Sequence, residues 1–303
     1  MKQVARLLIL VLLLCSVSSA LAEVPTEDRA GNPIAIPQKV ERIISMAPAT
    51  TQVLEALDVL PLLVAVDTQT PMYVELPNEV PQFDMMEPDV EGIAMLSPDV
   101  VFTSGMSYIN GDPYAALVEM GICVIDIPSS SSIAAVEEDI LFTAACLDMT
   151  DAGERIVSEM QEEIDKIAEI GKTIPDNEKK TVLFEISALP YIYSFGRGTF
   201  LDEMLEMIGA VNVFADQEGW LAVNEEDAIL ANPDIIMTSV NYIEDPIGEI
   251  KSREGWGDVT AVKNGNVYYI DNASSSLPNQ HIINAMWEMA LAVHPEYFAE
   301  KAA

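Results

Sequence analysis

Residue types that perform acid–base or nucleophilic catalysis, or that bind transition metals, are scarce in this sequence. Its 303 residues include two His and three Cys. A zinc site built from several His or Cys ligands is therefore not expected, and three Cys cannot form a framework of several disulfides. The motifs GxGxxG, GxSxG and HExxH and the phosphate-binding P-loop are absent from the sequence. We therefore expect no catalytic residues and no intrinsic cofactor.

Side chains that could pack against a bulky ligand are abundant. The chain contains 15 Met, 9 Tyr, 8 Phe and 3 Trp, and many of them fall in segments that read as loops. In open α/β folds, ligands bind in the loops at the carboxyl ends of the strands. The candidate ligand-binding residues are Met46, Pro48, Tyr73, Met85, Met86, Tyr108, Arg197, Trp220, Tyr242 and His281.

Each candidate also has a purely structural explanation. Trp220 could be a core residue, and each tyrosine could be ordinary packing. Arg197 could be a solvated turn residue, while His281 could cap a helix or lie on the surface. Met85 and Met86 could be simple apolar lining. The second histidine, His294, precedes a proline and is expected to be structural.

Charge restricts the class of ligand and partner. The chain has 15 Lys and Arg against 49 Asp and Glu, a formal net charge of −34. Binding to nucleic acid or to an anionic lipid surface needs clustered cations and is not expected. No Lys or Arg occurs between residues 43 and 154, which leaves Arg197 as the best partner for an anionic ligand. A neutral or cationic ligand fits this distribution better.

The first 22 residues have the pattern of a secretory signal peptide. Lys2 and Arg6 precede a short apolar run, and an A-x-A sequence ends at Ala22. The run is too short to span a bilayer. We expect an exported protein on the periplasmic or extracellular face of the cell membrane, either soluble or lipid-anchored at Cys15. After cleavage at Ala22, Cys123 and Cys146 could form a disulfide, but we favour two buried free thiols.

Strand and helix patterns alternate along the chain, which is typical of parallel sheets with helices on both faces. The predicted strands of a first lobe lie at 42–46, 62–66, 99–103 and 122–126, with helices at 50–57, 90–96 and 113–120. The predicted strands of a second lobe lie at 180–186, 234–238 and 267–270, with helices at 199–208, 225–231 and 280–293.

A long amphipathic helix is predicted between the two lobes. Apolar residues at 157, 160, 164 and 167 line one helix face, Thr150 or Asp151 could cap the start, and Pro175 closes the end. We predict an α/β fold of two Rossmann-like lobes, with mostly parallel sheets, joined by this single long α-helix. The predicted divisions are a signal peptide (1–22), an N-terminal lobe (23–130), a connecting helical segment (131–177) and a C-terminal lobe (178–303).

Two stretches of the chain repeat each other. EGIAMLSPDVVFTS begins at Glu91, and EDAILANPDIIMTS begins at Glu226, so the offset is 135 throughout. Both read as a short helix, a Pro-Asp turn and a buried strand. A looser echo relates LEALDVLPLLVAVD, near residue 54, to LEMIGAVNVFAD, near residue 205. Internal similarity of this kind indicates two lobes of related architecture.

The ordered segments resemble a known family. ERIISMAPATTQVLEALDVLPLLVAVD, EVPQFDMMEPDVEGIAMLSPDVVFTSG, NPDIIM, AVKNGNVYYID and HPEYF are similar to the extracytoplasmic solute-binding proteins of ABC importers that carry siderophores, cobalamin and haem. The resemblance implies two lobes with the ligand in the cleft between them and little closure on binding. It also implies a monomer that delivers an iron-siderophore, haem or cobalamin to a permease dimer and its ATPase. A ligand-scavenging or sensory surface protein of the same fold is the alternative.

The resemblance also implies roles for particular residues. Glu91 and Glu226 match the acidic residues with which relatives contact arginines on the two permease subunits; otherwise they are helix-start carboxylates. Trp220 matches a position where an aromatic side chain packs on the ligand. Met86 matches a haem-iron ligand of Gram-positive relatives. Those relatives supply a His from the opposite lobe, where this chain has Tyr242 as the available substitute.

Overall fold

The computed structural model describes residues 24–301. The predicted signal peptide, with Cys15, lies outside the described residues. The first lobe contains a five-stranded parallel sheet in the order β3-β2-β1-β4-β5. Its strands are β1 (Ile43–Ser45), β2 (Leu63–Asp67), β3 (Gln82–Phe83), β4 (Val100–Ser104) and β5 (Cys123–Ile127). Its helices are α1 (Pro48–Ala56), α2 (Val90–Met95) and α3 (Ala115–Glu119).

Continuous apolar runs form the central strands because helices cover both faces of this sheet. Successive side chains of a strand point to opposite faces. Ile43 accordingly joins the large core of the molecule, whereas Ile44 joins a smaller core on the other face. Both side chains are fully buried.

Two helices, rather than the single helix predicted, follow the first lobe. They are α4 (Ile133–Cys146) and α5 (Thr150–Gly171), and they pack against each other. The additional helix, α4, is mainly apolar, so its sequence lacks the one-sided pattern that makes α5 recognisable. The prediction that Thr150 or Asp151 caps α5 is wrong: Met149 precedes the first turn and makes no side-chain capping bond.

The second lobe contains a four-stranded parallel sheet in the order β11-β10-β6-β8 and a two-stranded antiparallel sheet of β7 and β9. The strands are β6 (Thr181–Glu185), β7 (Ile192–Phe195), β8 (Val211–Asn212), β9 (Trp220–Val223), β10 (Ile235–Thr238) and β11 (Val267–Tyr269). The helices are α6 (Phe200–Met207), α7 (Glu225–Ala231), α8 (Pro246–Ser252), α9 (Thr260–Asn264), α10 (Asn272–Ser276), α11 (Ile282–Val293) and α12 (Pro295–Phe298). The predicted α/β class with mostly parallel sheets is confirmed.

The two main sheets share one strand order, as the sequence repeat predicts. Strands β8, β6, β10 and β11 follow each other in space as β2, β1, β4 and β5 do in the first lobe. The caps of the repeated helices also correspond at the offset of 135. The carboxylate of Asp89 accepts a hydrogen bond from the backbone N–H of Gly92, and the side chain of Asn224 accepts one from Asp227.

The ends of the repeated helices correspond as well. Ser97 and Asn232 both adopt the left-handed conformation, with φ of 47° and 44°. The aspartates of the two Pro-Asp turns then accept backbone hydrogen bonds from the segment entering the neighbouring strand. Asp99 binds the N–H of Arg42 at 2.9 Å, and Asp234 binds the N–H of Thr181 at 2.9 Å.

One hydrophobic core extends through both lobes. It contains side chains of β1 and β4 from the first sheet, of β6 and β10 from the second, and of α4, α5, α6 and α11 between them. The four apolar residues predicted to line one face of α5 are all buried in it. The lobes are therefore joined by a packed helical layer. The predicted residue boundaries of the lobes stay a prediction.

Cys123 and Cys146 are free thiols. Burial raises the pKa of both thiols, and Cys146 lies in the shared core. Over residues 24–301, no helix is both long enough and apolar enough to cross a membrane.

The close contact between α5 and α6 yields a stability prediction. A Cβ added to Gly171, the last residue of α5, would overlap the carbonyl oxygen of Met207 at the end of α6. Helix propensity alone would make Gly171→Ala stabilising, but we expect the overlap to lower the free energy of unfolding by about 1–3 kcal/mol. Urea denaturation measures this change. The control is Gly257→Ala, because a Cβ there meets nothing within 4 Å; equal stability of the two variants would contradict the packing described.

Candidate functional site

A cavity of about 660 Å³ lies between the lobes and is lined by both of them. The first lobe and α4 contribute Ala47–Thr50, Val53, Thr68, Gln69, Asp84–Met86, Ser104, Met106, Ile127–Ser130, Asp139, Ile140 and Thr143. The second lobe contributes Ile186, Tyr193, Phe200, Leu201, Trp220 and Ser275–Pro278. This volume is within the range of small-molecule binding sites.

The lining of the first lobe comes from the loops after its strands. Pro48 begins α1 directly after β1, Met106 follows β4, and Pro128 follows β5. Because the strands are parallel, their carboxyl ends meet at one edge of the sheet, which is where such folds bind ligands. The cavity therefore lies at the loops in which the sequence predicts a ligand to bind.

Two carboxylates shape these loops. Asp67, at the end of β2, accepts hydrogen bonds from the backbone N–H groups of Gln69 and Thr70, and burial raises its pKa. Asp84 accepts hydrogen bonds from the N–H groups of Met86, at 2.8 Å, and Glu87. Asp84 thereby holds the turn that presents the Met86 side chain.

An aromatic wall faces the cavity from the second lobe. Tyr193 of β7 and Trp220 of β9 stack with their rings at 10° and their centroids 6.5 Å apart. Phe195 and Phe200 contact Trp220 edge-on, with centroids 6.3 Å and 6.1 Å away. Trp220 is held by three aromatic neighbours yet remains 40% exposed. Such a fixed and accessible indole can stack on a planar ligand or pack against a bulky one.

The cavity has no basic lining residue among the described part of the chain. Its two carboxylates are those of Asp84 and Asp139. Asp139 accepts hydrogen bonds from Arg29 Nε and Ser130 Oγ, both at 2.6 Å, yet burial raises its pKa. Arg29, which does not itself line the cavity, is therefore already paired with Asp139. Three thioethers, those of Met85, Met86 and Met106, add apolar and polarizable surface.

Four of the predicted ligand-binding residues line the cavity: Pro48, Met85, Met86 and Trp220. The structure thus brings Asp84–Met86 of the first lobe and the antiparallel strands β7 and β9 of the second lobe to one cavity. Residues 24–301 contain no group of three or more His, Cys, Asp or Glu side chains able to hold a metal ion.

Met46 and Tyr108 do not line the cavity. Met46 is fully buried in the smaller core of the first lobe, on the same face as Ile44, because alternate side chains after β1 share a face. The Tyr108 hydroxyl lies 3.0 Å from Thr103 Oγ1, and its ring packs against Tyr114. Burial raises the pKa of Tyr108, which fits a packed phenol.

Two further predicted residues, Arg197 and Tyr242, lie outside the lining and make local contacts. Arg197 is exposed at the turn beside β7, where its backbone pairs with Gln217 and Gly219. The Tyr242 side chain is 67% exposed, and its hydroxyl accepts a hydrogen bond from the N–H of Ala188. Arg197 therefore does not supply the cation that an anionic ligand would need in this cavity.

Of the last two predicted residues, Tyr73 makes a contact between the lobes, and His281 follows a loop that makes another. The Tyr73 hydroxyl donates to Asn272 Oδ1 at 3.2 Å. His281 immediately precedes α11, is half-buried, and has its pKa lowered by burial. Its Nε2 lies 3.1 Å from Gln280 Nε2.

The loop before His281 is fastened to the first lobe. Asn279 Nδ2 donates to Gln52 Oε1 of α1 at 2.6 Å, and Gln280 Nε2 donates to the Gln52 carbonyl oxygen at 2.9 Å. Gln52 and Asn279 are both buried. Polar contacts made in a buried setting fix geometry more firmly than exposed ones. We call Gln52, Asn279 and Gln280 the inter-lobe latch.

Glu91 and Glu226, the two repeated glutamates, are exposed in the first turns of α2 and α7. Neither lines the cavity. They are available on the outer surface, one on each lobe, and their side chains take no part in the interior site.

Several lining residues were not singled out from the sequence. Tyr193 is the most important of these. It is the one exposed residue of β7, but the strand sequence IYSF has no apolar–polar alternation that would have indicated this. Met106, Phe200 and Leu201 also had no signal in the sequence, because their place in the cavity depends on the packing of whole elements.

Comparisons with known proteins agree with this architecture. A profile of the family described as periplasmic binding protein matches residues 43–273. The chain is 29% identical over 277 residues to an uncharacterized ABC transporter substrate-binding lipoprotein, YvrC, of Bacillus subtilis (strain 168), an alignment that covers 91% of this chain and 87% of that protein.

Solved structures give the same result. A possible iron-binding (periplasmic solute-binding) protein from Staphylococcus epidermidis ATCC 12228 superposes with a TM-score of 0.73 at 28% identity, covering 85% of this chain and 100% of that one. The molybdate-binding protein MolA of Haemophilus influenzae superposes with a TM-score of 0.79 at 20% identity, covering 92% and 93%; at that identity the likeness shows the fold alone. Because the family profile spans well over half of its residues, this chain belongs to the periplasmic binding protein family.

Proposed function

We propose that the protein is the substrate-binding component of an ABC importer, which captures a bulky ligand between its lobes and delivers it to a membrane permease dimer and its ATPase. The observation that carries this proposal is the cavity of about 660 Å³ lined by both lobes. The description of YvrC as an ABC transporter substrate-binding lipoprotein supports it. The same relative supports an extracytoplasmic location for the mature protein.

The lining supports a neutral or cationic ligand within the predicted classes of iron chelate, haem and corrinoid. Its charged groups are two carboxylates, and basic side chains are absent from the described lining. Burying an anion without a cationic partner is costly. Haem propionates or an oxyanion such as the molybdate of MolA would lack such a partner here. A corrinoid or a cationic metal chelate would pack on Trp220 and the three thioethers.

Haem is the second candidate because Met86 lines the cavity and a thioether can ligate haem iron. Tyr242 was the suggested second ligand from the other lobe. Its hydroxyl is engaged with the Ala188 N–H outside the lining, so this part of the haem hypothesis loses support. Haem would then be ligated by a side chain of the lining, for which Met86 is the predicted residue.

A titration of the purified protein with cyanocobalamin, hemin and a panel of ferric siderophores tests the ligand class. We expect a neutral or cationic member of the panel to quench tryptophan fluorescence, and Trp220→Ala to weaken its binding about 10- to 100-fold through lost stacking and burial. Trp287→Phe is the matched control, because Trp287 lies outside the cavity and donates to Glu163.

The same titration can contradict these assignments. A Soret shift that is abolished by Met86→Ala would replace the corrinoid or cationic chelate with haem. Equal affinities of Trp220→Ala and the wild type, for a ligand that does bind, would show that the aromatic wall is not the binding surface.

Docking on a two-subunit permease is the second testable part of the proposal. Exposed Glu91 and Glu226 occupy equivalent positions on the two lobes and could each meet a cation on one subunit. We expect Glu91→Lys combined with Glu226→Lys to abolish uptake of the ligand while its affinity stays unchanged, because charge reversal turns attraction into repulsion.

A charge-matched control separates docking from net charge. Glu119→Lys combined with Glu254→Lys makes the same change at exposed sites on both lobes outside α2 and α7. Normal uptake by the Glu91 and Glu226 double variant would contradict the docking role of these glutamates. Ligand binding without any uptake by the wild-type protein would instead favour the alternative, a ligand-scavenging or sensory protein of the same fold.

A further inference from the structure

We propose that Met95 and Leu230 form a matched pair of apolar contacts that enter the two permease subunits beside Glu91 and Glu226. This inference rests on the proposed function and adds an apolar component to the docking surface. We call each set, Glu91 with Met95 and Glu226 with Leu230, a docking pair.

The proposal rests on two large hydrophobic side chains that are exposed at equivalent positions of the two lobes. Met95 is 83% exposed and Leu230 is 82% exposed, more than any other large hydrophobic side chain of the described residues. Leu230 follows Met95 by the same 135 positions that separate Glu226 from Glu91. A single exposed apolar residue on a surface needs no explanation. The same exposure at equivalent positions of two diverged lobes indicates a shared constraint.

The local geometry places each apolar side chain beside its glutamate. Residues four apart on a helix lie on one face, with their Cβ atoms about 5–6 Å apart. The helix α2 is anchored at its start by the Asp89 cap, and α7 by the Asn224 cap. Below each helix, Ile93 and Ala228 are fully buried and fix the opposite face against the lobe. Each docking pair therefore lies on a helix whose start is capped and whose opposite face is packed against its lobe.

The partner that fits this arrangement has two equivalent sites. Each site needs a basic group for the glutamate and, one helical turn away, an apolar recess for the thioether or isobutyl group. A homodimeric or pseudo-symmetric permease satisfies this requirement, because related lobes would meet related subunits. The glutamates would steer encounter through long-range charge, and the apolar groups would slow dissociation.

The test measures docking of the full mature protein to its permease–ATPase complex in nanodiscs, with no ligand added. We expect Met95→Ser combined with Leu230→Ser to weaken the complex about 10- to 100-fold, mainly through faster dissociation, since two apolar side chains lose their burial. Met120→Ser combined with Val211→Ser is the matched control, because these side chains are 58% and 41% exposed and lie outside α2 and α7.

Salt dependence separates an apolar contact from a general loss of docking. The Met95 and Leu230 variant should keep the wild-type decrease of affinity with salt, whereas Glu91→Lys with Glu226→Lys should lose it. Wild-type affinity of the Met95 and Leu230 variant would overturn this inference and leave the importer proposal standing. Failure of the wild-type protein itself to bind the complex would overturn the importer proposal and, with it, the docking pairs.

Discussion

A continuous hydrophobic core that passes from one sheet to the other sets the width of the gap between the lobes. Side chains of α4, α5 and α11 fill the space between the sheets. Side chains pack in protein interiors at crystal-like density, so such a layer resists sliding and opening. The inter-lobe latch adds buried polar contacts between α1 and the loop before α11. We therefore expect the cavity to be present without closure of the lobes.

A preformed cavity shifts the origin of specificity to its shape and lining. On the proposed function, a ligand would be selected by its fit against the aromatic wall and the methionines, with little free energy lost in reorganising the protein. The lack of a basic side chain in the described lining matters for the same reason, because a rigid site would not bring in a distant Lys or Arg when an anion enters. Release to a partner would then require the partner to deform the lobes or to compete for the ligand.

The sequence predicted the features that depend on local pattern. Three features can be inferred from the spacing of residue types: the alternation of strands and helices, the apolar face of α5 and the 135-residue repeat. The structure has all three. The apolar helix α4 was missed because a helix buried on most sides has no polar stripe. The short strands β7 and β9 were missed because neither is stable without the other.

The site was harder to predict than the fold. Loop position correctly located Pro48 and Met86 near the cavity, since strand ends can be inferred from the sequence. It misplaced Met46, whose direction depends on one residue of strand register. Tyr242 and Arg197 lie outside the lining for another reason. A polar side chain in a loop has several partners within reach, and the Tyr242 hydroxyl accepts its hydrogen bond from the Ala188 N–H.

The rigid arrangement of the lobes can be measured directly with spin labels and pulsed electron resonance. Labels at Glu119→Cys and Lys263→Cys, exposed on the first and second lobes, would be placed in a background with Cys123 and Cys146 replaced by Ala. The account predicts one narrow distance distribution that moves by no more than about 2 Å when the bound ligand saturates the protein. Two resolved populations, or a larger inward shift on binding, would contradict it.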